Sequence, residues 1–204
     1  MLNVAIVGIG RWGQVLVTSV QGRSPNLRYI SGLTGTKSKA VKFCSEQGIQ
    51  LCDDYDELLN NKEIDAIVLA TPHTQHEEQI IRAAEAGKHI FAEKPLTLNK
   101  KSAERVVESC RKANVQLALG HNRRFMKNTE ALMQMIETNK LGTLLHIDGN
   151  QSSDLGAAVG AWRDARKESP AGGMTSLGIH ALDCMIHLGG KITKVDAHSD
   201  LSLI

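Results

Sequence analysis

VAIVGIGRWGQVL, residues 4–16, decides the fold. Four apolar residues run into Gly8-Ile9-Gly10-Arg11-Trp12-Gly13, and apolar residues then return at helical spacing. The pattern GxGxxG carries meaning only where a strand enters it and a helix leaves it. Both conditions hold, with a strand over Asn3–Val7 and a helix over Trp12–Val20. In that context the first glycine permits a tight turn and the second lets backbone approach a pyrophosphate. The third lets helix and strand pack closely. The helix start then offers unpaired N–H groups and a partial positive charge to phosphates. The alternative is a glycine turn with no ligand.

Working outward, strand and helix patterns alternate. Strands are expected over Leu27–Leu33, Ile49–Cys52, Ala66–Ala70, His89–Ala92 and Gln116–Gly120. Helices are expected over Lys37–Gln47, Asp56–Leu59, Glu77–Ala86 and Lys101–Ala113. Ala66–Ala70 is wholly apolar and should lie in the middle of the sheet, and the repeated β-α units predict an α/β fold, a doubly wound parallel sheet of the Rossmann type. After Gly120 the pattern changes. A helix is expected over Asn128–Glu137, a strand over Leu144–Gln151, a long polar loop, a helix over Ser176–Leu188 and a last strand from Lys194. Two strands are too few to cover an apolar sheet face. The expected division is therefore a Rossmann domain over 1–121 and an incomplete α/β substrate domain over 122–204, apparently truncated at its C-terminus.

Composition excludes several classes. Among 204 residues, 42% are hydrophobic and 23% charged, as in a globular protein. A formal charge of +2 argues for no nucleic-acid partner and no membrane surface. No apolar run approaches a membrane span, and the first residues lack the basic segment and cleavage site of a signal peptide. Cys44, Cys52, Cys110 and Cys184 show neither CxxC nor zinc spacing, so reduced thiols and a cytoplasmic location are expected. No metal is implied.

The second strand argues which dinucleotide is taken. An NAD site usually carries an acid about 20 residues beyond the glycines, on the ribose hydroxyls. Here the strand ends in Thr34-Gly35-Thr36-Lys37-Ser38-Lys39, and the first acid of the chain is Glu46. Hydroxyls and a lysine suit a 2′-phosphate, so NADP is favoured over NAD, with Thr36, Lys37 and Ser38 at that phosphate. The competing reading makes these residues ordinary helix caps and solvated charges.

The stretch IFAEKPL, residues 90–96, ends a buried-looking strand in Glu93, Lys94 and Pro95. Parallel sheets of this type bind ligands at the carboxyl ends of their strands, where Lys94, Thr71 and Pro72 all fall. Pro95 biases Lys94 toward extended backbone. A lysine aimed at the nicotinamide crevice outweighs the solvated-charge reading here.

These motifs together resemble the Gfo/Idh/MocA oxidoreductases, the family of glucose–fructose oxidoreductase and inositol dehydrogenase. The resemblance rests on Gly8-x-Gly10-x-x-Gly13, Ala70-Thr71-Pro72 with His76, and Glu93-Lys94-Pro95. It continues through Asn122-Arg123-Arg124-Phe125, Trp162-Arg163, and Gly172-Gly173 leading to Gly178-x-His180-x-x-Asp183. It implies an NAD(P)-dependent enzyme transferring hydride to or from a secondary alcohol or ketone of a sugar, polyol or related small molecule. It implies a homo-oligomer for a full-length parent, built on an open sheet of the second domain. Lys94 matches the catalytic lysine, bonding the reacting oxygen and nicotinamide ribose, with a pKa lowered by desolvation. His180 matches the catalytic histidine that takes the alcohol proton.

The expected pyrophosphate contacts are Gly8, Gly10, Arg11, Trp12 and Gly13. Thr71, Pro72, His76, Glu93 and Lys94 are expected on the nicotinamide side, with Trp162 and Arg163 over the cofactor. Lys94, Ser176 and His180 form the expected substrate set. Asp183, one helical turn beyond His180, is placed to orient it. His73 and His76 read equally well as cleft residues or as exposed residues of a helical turn, and Arg123 and Arg124 as ligand contacts or a solvated pair. The sequence departs from the family at Ser176, where many members place an aspartate. Serine hydrogen-bonds but carries no charge. The alternative reading is a non-catalytic dinucleotide-binding regulator, or an inactive fragment, of the same fold.

Overall fold

The computed structural model describes residues 1–152, 162 and 165–198. The chain divides into two compact units, Met1–Gly120 and His121–Ile204.

The first unit holds six strands: β1 Leu2–Val7, β2 Leu27–Leu33, β3 Gln50–Leu51, β4 Ala66–Leu69, β5 His89–Ala92 and β6 Leu117–Leu119. They pair in the order β3-β2-β1-β4-β5-β6, all parallel. The helices between them are α1 Arg11–Val20, α2 Val41–Gln47, α3 Tyr55–Asn60, α4 His76–Glu85 and α5 Lys100–Lys112. This is the doubly wound Rossmann sheet, its order reversing between β1 and β4.

Alternation along the strands builds two cores. Val4 and Ile6 of β1 and Val68 of β4 pack with Val17, Tyr29, Cys44 and Ile49 on one face. Ala5, Val7, Ile67 and Leu69 point the other way, onto Leu58, Ile80, Val106 and Cys110. Successive side chains of a strand face opposite sides, so a sheet covered on both faces needs every position apolar. Helix starts are fixed locally. Asp54 accepts the Glu57 N–H at 2.8 Å to open α3, and Asn99 accepts the Ser102 N–H at 3.0 Å to open α5.

Two expectations need correction. The helix over Lys37–Gln47 is a 3₁₀ turn, Lys37–Lys39, followed by α2. The Ala40 N–H reaches back only to the Lys37 carbonyl, at 2.8 Å, and Ala40 sits at φ −106°, off the α ladder. The strands over Leu144–Gln151 and from Lys194 are absent among the described residues. A strand exists only where a neighbour takes its N–H and C=O groups, and the second unit offers none among the described residues. Leu145 and Val195 are instead broadly exposed.

The second unit carries α6 Lys127–Glu137 and α7 Ile179–Gly189. A wider π turn, Met174–Gly178, leads into α7 and holds Ser176, where a plain α-helix is expected. Among the described residues no helix is long and apolar enough to cross a membrane.

Candidate functional site

The parallel sheet turns all its carboxyl ends to one edge. The ladder continues past the strands there: Gly8 N–H bonds Leu33 O at 2.8 Å, Ala70 N–H bonds Val7 O at 2.8 Å, and Glu93 N–H bonds Leu69 O at 2.9 Å. Gly8, Ala70 and Glu93 are thereby fixed side by side at the switch point.

The glycine loop has the geometry its spacing predicts. Gly8 sits at φ 94°, and a Cβ there would strike the Ala70 carbonyl. A Cβ on Gly13 would fall on the Gly8 carbonyl oxygen, well inside the 3.0 Å limit for real side chains. Gly10 is different: nothing lies within 4 Å of a Cβ built there. It is the exposed N-cap of α1, with no side-chain cap and no acid in the first turn. The first N–H groups of α1 have no intrahelical acceptor, the arrangement by which helix starts hold phosphates. Arg11 and Trp12 stand exposed on that first turn.

At the end of β2, Thr36 and Ser38 are exposed and Lys37 is half-buried. No side chain caps the turn at Thr36, which removes the simple capping role for that hydroxyl. Lys37 Nζ is ion-paired to Asp53 Oδ1, from the segment after β3. Lys37 holds the Asp53 carboxyl below its ordinary range, first through the hydrogen bond and then through its charge. The next acids are close in the chain. Asp54 caps α3, and Glu57 accepts the Asp53 N–H at 2.8 Å. Burial first, and Glu57 second, push the neighbouring Cys52 thiol up to about 11.

On the β4 and β5 side, Thr71 is buried and donates its hydroxyl to Gln79 Oε1 at 2.6 Å. His73 and His76 are both buried, which overturns the exposed-turn reading. His76 lies with Nδ1 2.9 Å from Pro95 O and Nε2 3.2 Å from Thr71 O. Its ring therefore ties the turn after β4 to the turn after β5, across which Thr71, Pro72, Glu93 and Lys94 are carried. Glu93 is buried, and Lys94 is half-buried with its N–H 3.3 Å from Glu93 Oε2. The Lys94–Pro95 peptide is cis. The buried Lys88, just before β5, serves structure instead, donating to Asn61 O at 2.7 Å and Ile64 O at 2.8 Å.

In the second unit, His180 opens α7, and the His121 ring stands nearly perpendicular to it with centroids 6.2 Å apart. Asp183, expected to orient His180, meets Arg124 and His121. Its buried carboxylate receives Arg124, from Nε at 2.9 Å and Nη2 at 2.5 Å, and faces His121 Nδ1 at 3.6 Å. Arg124 is thus no solvated surface charge. Arg123 donates to Gln151 Oε1 at 2.7 Å. Trp162 is partly exposed, whereas Arg163 lies outside the described residues. Among the described residues no three His, Cys, Asp or Glu side chains gather as a metal site.

Burial pushes the Asp183 carboxyl up, but the Arg124 hydrogen bonds with the charges of His121, Arg124 and His187 outweigh it, and the net direction is down. A depressed carboxyl adds stability that is complete above its unfolded pKa and is lost as pH falls through the folded one. The protection of α7 amides from hydrogen exchange, corrected for the intrinsic rate at each pH, should therefore be flat at neutral pH and fall below about pH 4. Arg124→Met should remove that acid dependence and loosen α7 by about 1–3 kcal/mol at pH 7, a range reduced because the guanidinium is 37% exposed. An unchanged exchange profile would show the pair to be inconsequential.

A glycine cradle at the switch point of a parallel sheet, opening an uncapped helix, defines a dinucleotide-binding domain. Residues 2–121 match the oxidoreductase family with NAD-binding Rossmann fold, and residues 129–202 match the GFO/IDH/MocA C-terminal domain. The chain belongs to the Gfo/Idh/MocA oxidoreductases. It is 31% identical over 210 residues to scyllo-inositol 2-dehydrogenase (NAD(+)) of Bacillus subtilis, covering 97% of this chain and 57% of that protein. It is 28% identical to 2,7-anhydro-N-acetylneuraminate hydratase of Escherichia coli, covering 95% and 51%. An NAD-binding protein of known structure from Listeria innocua superimposes with a TM-score of 0.76 at 25% identity, covering 92% of this chain and 54% of its own. The chain spans about half the length of the relatives it matches.

Proposed function

We propose that the protein acts as a dehydrogenase or reductase on a secondary alcohol or ketone of a sugar, polyol or related small molecule, and that it prefers NADP to NAD. The observation that carries this reading is the placement of Lys94 on the same sheet edge as the Gly8–Gly13 cradle. The bound nicotinamide supplies the hydride donor or acceptor. Lys94 hydrogen-bonds the reacting oxygen and holds its charge as the C–O bond order changes. His180 exchanges the proton with that oxygen, a task suited to imidazole near neutral pH. Ser176 offers the substrate a hydroxyl in place of a carboxylate. Family membership and the inositol dehydrogenase likeness support the substrate class.

Titration of the chain with NADP and with NAD, followed by absorbance at the reduced-nicotinamide band with a panel of polyols and aldoses, tests the reading. The expected result is tighter NADP binding and turnover on at least one polyol. Tight dinucleotide binding with no turnover would favour a binding or regulatory role, for which the missing carboxylate at Ser176 is the specific ground. Binding of neither dinucleotide would end the proposal.

A further inference from the structure

We infer that Asp53 weakens the NADP preference of this chain, by holding Lys37 in an ion pair that a 2′-phosphate has to displace. The inference rests on the reading that this sheet edge takes a dinucleotide. The cations before Glu46 argue for a phosphate-seeking site, and the fold sets an acid against one of them. In the fold, β3 pairs beside β2, with Ser31 opposite Gln50 and Gly32 opposite Leu51. That register carries Asp53, sixteen residues on, to the side chain of Lys37. Asp53 is followed by Asp54 and, one turn into α3, Glu57, whose carboxylate receives the Asp53 N–H.

Asp53 therefore acts twice against a 2′-phosphate. It occupies the ammonium that would bind the phosphate, and its own charge repels it. Both effects vanish for NAD, whose ribose carries hydroxyls at that position. A carboxylate here is also an acceptor for ribose hydroxyls, the task an acid at the end of β2 performs in NAD sites. Asp53 thus supplies from β3 what β2 lacks, and Lys37 and Asp53 oppose each other in choosing the cofactor. Asp53 is largely exposed and its main-chain N–H bond does not depend on its side chain, so its substitution leaves the fold intact.

The test is calorimetric titration of the whole chain and of Asp53→Asn with NADP and NAD at low and high salt. The expected result is an NADP-to-NAD affinity ratio raised about three- to tenfold in Asp53→Asn at low salt, shrinking at high salt. Lys37→Gln should move the ratio the other way. An unchanged ratio, with both dinucleotides still bound, would overturn the role of Asp53 and leave the cofactor reading standing. Failure of the unsubstituted chain to bind either dinucleotide would overturn both.

Discussion

Gly13→Ala is expected to destabilise the first unit by about 3 kcal/mol or more, whereas Gly10→Ala changes its stability by less than about 1 kcal/mol but weakens dinucleotide binding about 10- to 100-fold. The two residues lie three apart in one motif, and they differ in what surrounds them. A methyl group on Gly13 meets the Gly8 carbonyl oxygen, a backbone atom held by the ladder bond from Gly8 N–H to Leu33 O. Nothing flexible there can give way. The helix has to lift from the sheet, and Val17, fully buried one turn on, lifts with it. Gly10 sits at φ −77° and ψ −172°, ordinary extended backbone, with open space where its Cβ would point. Alanine fits the free protein. The same methyl group stands where a pyrophosphate must approach the α1 N–H groups. Losing one or two charge-assisted hydrogen bonds weakens binding about 10- to 100-fold. Chemical denaturation followed by circular dichroism, with NADP titration, measures both. Equal stability losses at the two positions would show that the loop does not distinguish packing from ligand approach.

The contrast also explains which features were legible in the sequence. The strands expected over Leu27–Leu33 and His89–Ala92 became β2 and β5 with those bounds. The glycine loop was legible because its constraint is local. What escaped was nonlocal pairing. The burial of His76 depends on the Pro95 carbonyl, nineteen residues away, and the Arg124–Asp183 pair closes over 59 residues. Lys37 looked available because the acid that meets it arrives with another strand. Polar side chains announce themselves as exposed unless their partners are known, and partners are set by topology. The strands expected after Gly120 are absent among the described residues for the converse reason. Apolar content allows a strand, but only a neighbour makes one.

Lys94→Met is expected to lower turnover by about 10²- to 10⁴-fold while dinucleotide affinity changes far less. Methionine keeps the apolar stem that lies half-buried after β5 and removes only the ammonium. Glu93 stays buried and His76 still joins Pro95 to Thr71, so the turn that carries position 94 remains in place. In the proposed reaction the loss then falls on the reacting oxygen, whose charge is left without a donor at the moment it develops. Lys94→Arg should not restore the rate: a planar fork presents its N–H groups in a fixed geometry where a compact, rotatable ammonium is wanted. His180→Asn should be similarly slow but should differ in pH profile if His180 exchanges the proton as proposed. Steady-state kinetics of the three variants, with the substrate found in the polyol panel, decides the assignment. A Lys94→Met protein with near-normal kcat would place the chemistry elsewhere. One with normal kcat and lost NADP binding would make Lys94 a cofactor anchor, because an interaction confined to the transition state lowers kcat and leaves ground-state binding alone.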